Sequence, residues 1–102
     1  MPIAKLNDYI DRHASHLCQY LQTLVRIPTV NPPGTNYAEI VNQLAEWCRE
    51  LDLETEIHYV PTEEAQIHVP HAGEYPRMNL IAKWNIGAEK TVHFNSHFDV
   101  VP

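Results

Sequence analysis

The sequence predicts an α/β fold in which two N-terminal helices pack on a mixed β-sheet. Apolar residues in the first half of the chain recur at helical spacing, whereas three short stretches in the second half are rich in β-branched and aromatic residues. The third stretch, residues 90–102, is apolar enough to predict a buried, central strand. The length of 102 residues, with 44% hydrophobic and 20% charged residues, is that of one globular domain.

The predicted helices occupy residues 3–25 and 37–51. The first has an apolar stripe and a break near His13, after which Ser15 is expected to cap a second helical segment. Pro28 ends this region. The second helix is expected to start with a capping box of Asn36 and Glu39. The loop between the helices, residues 29–34, carries no ionisable side chain, so its residues predict only a rigid linker.

The predicted strands follow these helices. Residues 53–60 form the first strand, residues 61–77 a loop or irregular hairpin, and residues 78–84 the second strand. A short turn then leads into the third strand, which predicts that the second and third strands pair antiparallel.

The net charge and the two cysteines limit the function classes. The net charge is −6 and no basic cluster is present, which makes nucleic acid and anionic membrane poor partners. The N-terminal residues lack the apolar core of a signal peptide, and no run approaches the roughly 20 apolar residues of a membrane span. We therefore expect a soluble, cytoplasmic protein in which Cys18 and Cys48 are buried, free thiols, with a disulfide or a reactive thiol as the alternatives.

The candidate chemistry lies at the end of the predicted third strand. Because side chains alternate along a strand, His97 and Asp99 are expected to point the same way. A carboxylate can accept the N–H of an imidazole and leave the second ring nitrogen free for a metal ion. The alternative is a local hydrogen-bonded pair without a metal. His93 lies on the same face, but strand positions four apart are roughly 13 Å from each other, too far to share one zinc ion.

Two other histidine pairs are weaker candidates. His13 and His16 are three residues apart on the first helix, and His68 and His71 lie on either side of Pro70. No carboxylate or cysteine is arranged around the first pair, and the proline keeps the second pair off a common helix face. We expect both to be ordinary solvated histidines.

Three segments resemble a known enzyme family, in the family's order. They are SHFDVVP (residues 96–102), LVRIPTVNPPG (residues 24–34) and PRMNLIA (residues 76–82). Each is similar to a segment of the zinc-dependent deacylases and carboxypeptidases, which include acetylornithine deacetylase, succinyl-diaminopimelate desuccinylase, aminoacylase and the glutamate carboxypeptidases. Thr29 stands where serine is usual in the family, and Asp52 where a helix-ending glycine is common.

The resemblance implies a role for each residue of the histidine–aspartate pair. His97 would be a metal ligand of one zinc in a two-zinc site, which cobalt or manganese could also occupy. Asp99 would be the catalytic-site carboxylate that orients the His97 imidazole. The substrate would be an N-acyl amino acid or a small peptide.

In the family, the other ligands and the glutamate that acts as general base follow this motif. Residues 1–102 are therefore expected to be the N-terminal portion of the catalytic domain. The rest of that domain, and the inserted lid and dimerisation domain of a homodimer, would lie outside the chain. The segment should be inactive alone. The alternative from another class is a non-catalytic binding or interaction module that keeps the α/β layers.

Overall fold

A computed structural model describes residues 2–102 as a small α/β fold. The elements, in chain order, are α1 (Ile3–Arg12), α2 (Ala14–Val25), α3 (Tyr37–Glu50), β1 (Glu54–Tyr59), α4 (Thr62–His68) and β2 (Met78–Lys83). Within this part of the chain, no helix is both long enough and apolar enough to cross a membrane.

The first predicted helix is divided at His13, as the sequence predicted. The His13 Nδ1 group hydrogen-bonds to the Tyr9 carbonyl oxygen over 2.7 Å, and the two rings stack with centroids 4.0 Å apart. His13, not Ser15, occupies the N-cap position of α2, so the predicted serine cap is wrong. The Tyr20 ring of α2 packs edge-to-face with the half-buried Trp47 ring of α3, and the two ring centroids are 4.7 Å apart.

The bounds of α3 agree with the sequence to within one residue, but its predicted capping box is wrong. The Asn36 Nδ2 group donates to the Pro28 carbonyl oxygen over 2.8 Å, and the Asn36 backbone is left-handed, with φ of 58°. Asn36 therefore links the start of α3 to Pro28, at the beginning of the loop that precedes this helix. Glu39 still lies in the first turn of α3, where a negative charge favours the helix N-terminus.

The C-terminus of α3 closes in a Schellman motif. The Leu53 N–H donates to the Cys48 carbonyl over 3.0 Å, and the Asp52 N–H donates to the Arg49 carbonyl over 2.9 Å. Asp52 itself has φ of 58°. Asp52, which stands where the resembling family commonly has a helix-ending glycine, therefore occupies the left-handed position that glycine usually takes.

We expect Asp52→Gly to raise the free energy of unfolding by about 0.5–1 kcal/mol, because glycine adopts this backbone without strain. The change also removes a negative charge from the negative end of the helix dipole. Asn36→Gly is the matched control, because its relief of the backbone is offset by the loss of a hydrogen bond worth about 1 kcal/mol. Urea denaturation measures both variants. An Asp52→Gly protein no more stable than the wild type would contradict this account.

The core lies between α3 and the sheet. Strands β1 and β2 pair antiparallel, with Ile57 opposite Leu80. Both side chains pack against a buried cluster that comprises Ile27, Tyr37, Ile40, Val41 and Met78. Leu24 brings the end of α2 to the same cluster, so the turn after α2 is fixed against the sheet layer.

The predicted loop at residues 61–77 contains α4. Pro61 precedes the helix, and Glu63 and Glu64 in its first turn stabilise the positive end of the helix dipole. Ala65 is its buried contact residue. The proline and glutamates that indicate a loop also suit the start of a short helix, and His68 lies in its last turn.

The predicted third strand is wrong. Val92 and Phe94 are 77% and 90% exposed, and residues 91–99 form no strand. The observed antiparallel pair is β1 with β2, and in the described chain the sheet is two-stranded rather than mixed. An apolar alternating segment becomes a strand only where the backbone of another segment pairs with it. Within residues 2–102, the only such pairing of this segment is an isolated parallel bridge between Val100 and Val30.

The two cysteines are free in residues 2–102, as predicted. The expectation that both are buried is wrong, because Cys18 is exposed on α2 and Cys48 is half-buried on α3. No residue of α2 is buried, so much of that helix is open to solvent.

Candidate metal centre

His97 and Asp99 are hydrogen-bonded to each other. The distance from His97 Nδ1 to Asp99 Oδ1 is 2.8 Å. The His97 side chain is 83% exposed and that of Asp99 is 32% exposed. When Nδ1 donates this bond, the neutral imidazole carries its lone pair on Nε2, which is the atom a metal ion binds.

The second oxygen of Asp99 has a partner that the sequence did not predict. Asn31 donates from Nδ2 to Asp99 Oδ2 over 3.0 Å. The hydrogen bond from Asn31, and after it the one from His97, hold the pKa of Asp99 below its ordinary value. Both carboxylate oxygens are therefore occupied, and the acid stays ionised.

A short parallel contact between two segments places these side chains. The Val100 N–H donates to the Thr29 carbonyl over 2.9 Å, and the Asn31 N–H donates to the Val100 carbonyl over 2.8 Å. The Thr29 hydroxyl, which is 1% exposed, donates to the Phe98 carbonyl over 2.7 Å. The residue between His97 and Asp99 is thus fixed by a buried hydroxyl, and a serine at position 29 could make the same bond.

Phe98 anchors this segment to α3. Its ring lies 5.0 Å from the buried Tyr37 ring in an edge-to-face arrangement. Since side chains alternate in an extended chain, the inward position of Phe98 turns the residues on either side of it outward.

Arg77 links the loop before α3 to Tyr37. Its guanidinium donates to the Tyr37 hydroxyl over 3.1 Å and to the Pro33 carbonyl over 2.7 Å, and it lies 5.1 Å from the centre of the Tyr37 ring. Gly34 has φ of 104°, and a Cβ there would lie 2.6 Å from the guanidinium. Any other residue at position 34 would strain the backbone and displace the Arg77 guanidinium from the loop.

Burial raises the pKa of Tyr37 above its ordinary value of 10.0, and the positive charge of Arg77 offsets part of this effect. Because the folded-state pKa is raised, the neutral Tyr37 side chain contributes to the stability of the fold. That contribution is fully present below pH 10.0 and is lost as the pH rises through the folded-state pKa. We therefore expect the free energy of unfolding to fall in alkaline solution and to fall less steeply in Tyr37→Phe. Urea denaturation across that pH range is the measurement, with the exposed Tyr9→Phe as control. Identical slopes for both variants would contradict the assignment.

The pair fits one position of a zinc site. His97 offers an exposed nitrogen donor, and Asp99 is placed to orient it from the second shell. No group of three or more histidine, cysteine, aspartate or glutamate residues that could hold a metal ion occurs in residues 2–102. In particular, the rings of His13 and His16 are 6.3 Å apart without a third ligand, and His68 and His71 are both exposed.

The pair also lines an open groove of about 1280 Å³ between α2, α3, β2 and residues 93–100. Its wall is mainly apolar and includes Leu21, Leu24, Leu44, Leu80 and Phe98. This position gives the free face of His97 access to a volume that a larger structure or a ligand could occupy.

Comparison of the chain with protein-family models, with curated proteins and with solved structures found no match. The likeness to the zinc-dependent deacylases therefore rests on the three sequence segments. The geometry around His97 supplies a separate, chemical argument.

Of the four side chains that place the pair, the sequence singled out only Thr29, and as a departure from the resembling family rather than as a contact. Asn31, Tyr37 and Arg77 gave no signal of their own. Asn31 is 68 positions from its partner Asp99, and Arg77 is 40 positions from Tyr37. Contacts between residues so far apart in sequence, such as that of Asn31 with Asp99, can be identified only from the folded structure.

Proposed function

We propose that the chain is the N-terminal portion of the catalytic domain of a zinc-dependent amidohydrolase, a deacylase or metallopeptidase. The substrate would be an N-acyl amino acid or a small peptide. The observation that carries the proposal is the hydrogen bond from His97 Nδ1 to Asp99 Oδ1, with the opposite oxygen of the carboxylate held by Asn31.

The roles of the residues follow from this arrangement. His97 would hold the metal through Nε2, and Asp99 would fix the tautomer and orientation of its ring and increase its basicity. When bound, zinc supplies a Lewis acid for the amide carbonyl and lowers the pKa of water. The remaining ligands of a two-zinc site, and the general base, belong to residues outside 2–102. Cobalt or manganese could replace zinc.

Exposed apolar surface supports a larger domain. Val92, Phe94 and Trp84 are between 77% and 90% exposed and Ile86 is 66% exposed, all in the segment after the start of β2. Large apolar side chains this exposed favour an additional element or partner that covers them. Further strands of the same catalytic domain would cover these side chains.

The setting of the enzyme belongs to the same proposal. A net charge of −6 disfavours nucleic acid and anionic membranes as partners. Free thiols at Cys18 and Cys48 suit a reducing compartment, which supports a cytoplasmic location. A homodimer of the complete enzyme is implied by the family resemblance alone.

Residues 1–102 by themselves are expected to show no hydrolysis, because a catalytic zinc needs about three protein ligands and an open position. The measurement is release of free amino acid from a panel of N-acyl amino acids in the presence of added zinc. Turnover that survives repurification and disappears in His97→Ala would contradict this expectation.

The same exposed apolar side chains favour a second candidate, a non-catalytic interaction module in which they would contact a partner. The gene sequence after codon 102 separates the two. A reading frame that continues into acidic and histidine motifs supports the enzyme, and a stop codon supports the module.

A further inference from the structure

We propose that Asn31 is a positioning residue for His97 and that it acts through Asp99. This inference rests on the proposed function, because the consequence of holding His97 is a nitrogen kept ready for a metal ion. It assigns a role to the proline-rich loop, whose sequence predicted only a linker.

The argument begins with the carboxylate. Asp99 is one-third exposed, so water competes for both of its oxygens. A carboxylate bonded at one oxygen can rotate and exchange that oxygen for the other. The bond from Asn31 to Oδ2 opposes this rotation and directs Oδ1 to the His97 ring.

The imidazole needs this help because it is exposed. With 83% of the His97 side chain open to solvent, packing does little to fix the ring. A neutral imidazole can carry its proton on either nitrogen, and the hydrogen bond at one nitrogen decides which. A fixed Oδ1 acceptor keeps the proton on Nδ1 and the lone pair on Nε2.

Asn31 is itself held independently of its side chain. Its N–H donates to the Val100 carbonyl, and the loop that follows it is fastened by Arg77 at the Pro33 carbonyl. Truncating the side chain therefore removes the amide donor and leaves these backbone contacts in place. An aspartate at the same position would keep the shape but place a second negative charge against Asp99.

The test uses the 102-residue chain, labelled with ¹⁵N, without zinc and at a mildly alkaline pH where imidazoles are neutral. Two-bond ¹H–¹⁵N correlation spectra report the tautomer of each histidine, and His97→Gln assigns the signals of His97. We expect the Nδ1–H tautomer of His97 in the wild type. In Asn31→Ala the ratio of the Nδ1–H to the Nε2–H tautomer should fall about threefold to tenfold, the size of one ordinary hydrogen bond at a partly exposed site.

Asn31→Asp should lower the same ratio at least as far, while Asn42→Ala and Asn42→Asp, at an exposed position of α3, should leave it unchanged. In an Asp99→Ala background, Asn31→Ala should have no further effect, because Asn31 acts through Asp99. Amide spectra establish that each variant is folded, and Asn31→Asp serves if Asn31→Ala is not.

An unchanged tautomer ratio in a folded Asn31 variant overturns the proposal, and so does an equal effect in the Asp99→Ala background. Because this experiment contains no zinc and no substrate, such a failure leaves the zinc assignment standing. Absence of zinc at His97 in the protein encoded by the full reading frame would overturn the proposed function, whatever the tautomer.

Discussion

His97→Ala is expected to lower the zinc affinity and the kcat/KM of the complete enzyme by more than about 100-fold. Loss of a group that only orients a ligand typically costs about 10-fold to 100-fold, and His97 is the proposed ligand itself. The measurements are bound zinc per protein and hydrolysis of N-acyl amino acids by the protein encoded by the full reading frame.

His58→Ala is the matched control, because His58 is an exposed histidine on β1 that does not line the groove beside the pair. Zinc content and kcat/KM of this variant should equal those of the wild type. A His97→Ala enzyme that keeps wild-type zinc content and turnover would remove His97 from the metal site.

Arg77→Ala is expected to lower the free energy of unfolding by about 2 kcal/mol, because it removes two charge-assisted hydrogen bonds and a cation–π contact. One part of the loss is offset, because the buried Nε atom of Arg77 lacks a hydrogen-bond partner in residues 2–102 and its removal relieves that desolvation penalty. The midpoint of urea denaturation measures the change.

The same variant should also lower the Nδ1–H to Nε2–H ratio of His97, because the loop that carries Asn31 is no longer fastened at Pro33. Arg49→Ala, on the exposed side of α3, is the control and should change the free energy of unfolding by less than about 0.5 kcal/mol. If Arg77→Ala and Arg49→Ala lowered the free energy of unfolding equally, the contacts of Arg77 with the loop would not stabilise the protein.

The helices could be predicted from the sequence because their information is local. The apolar stripe and the proline at position 28 define the end of the first helical region, and α3 begins and ends within one residue of its prediction. The caps could not be predicted in the same way. Asn36 has a residue type that suits a helix cap, but its amide instead contacts Pro28, eight positions earlier.

The strands show where local pattern stops being sufficient. The sequence predicts both β1 and β2 as strands, and in the structure the two strands pair with each other. Residues 90–102 have a stronger apolar pattern, yet a strand also needs a neighbouring backbone, and in the described chain only Val100 has one. The pattern identified a segment suited to a sheet, but the pattern contains no information about its partner.

The candidate site has one part that could be predicted from the local sequence and one part that could not. The two-residue spacing of His97 and Asp99 predicts their common direction, and the structure has the hydrogen bond between them. The contribution of Asn31 depends on contact between segments 68 positions apart. Such a residue has no charge and no spacing that would mark it, so only the folded arrangement identifies it.

Anomalous diffraction at the zinc edge, from crystals of the protein encoded by the full reading frame, would show whether His97 is a zinc ligand. We expect a zinc peak about 2.0–2.1 Å from His97 Nε2, with Asp99 still bonded to Nδ1. A structure in which zinc is bound elsewhere and His97 Nε2 contacts no metal would contradict this expectation.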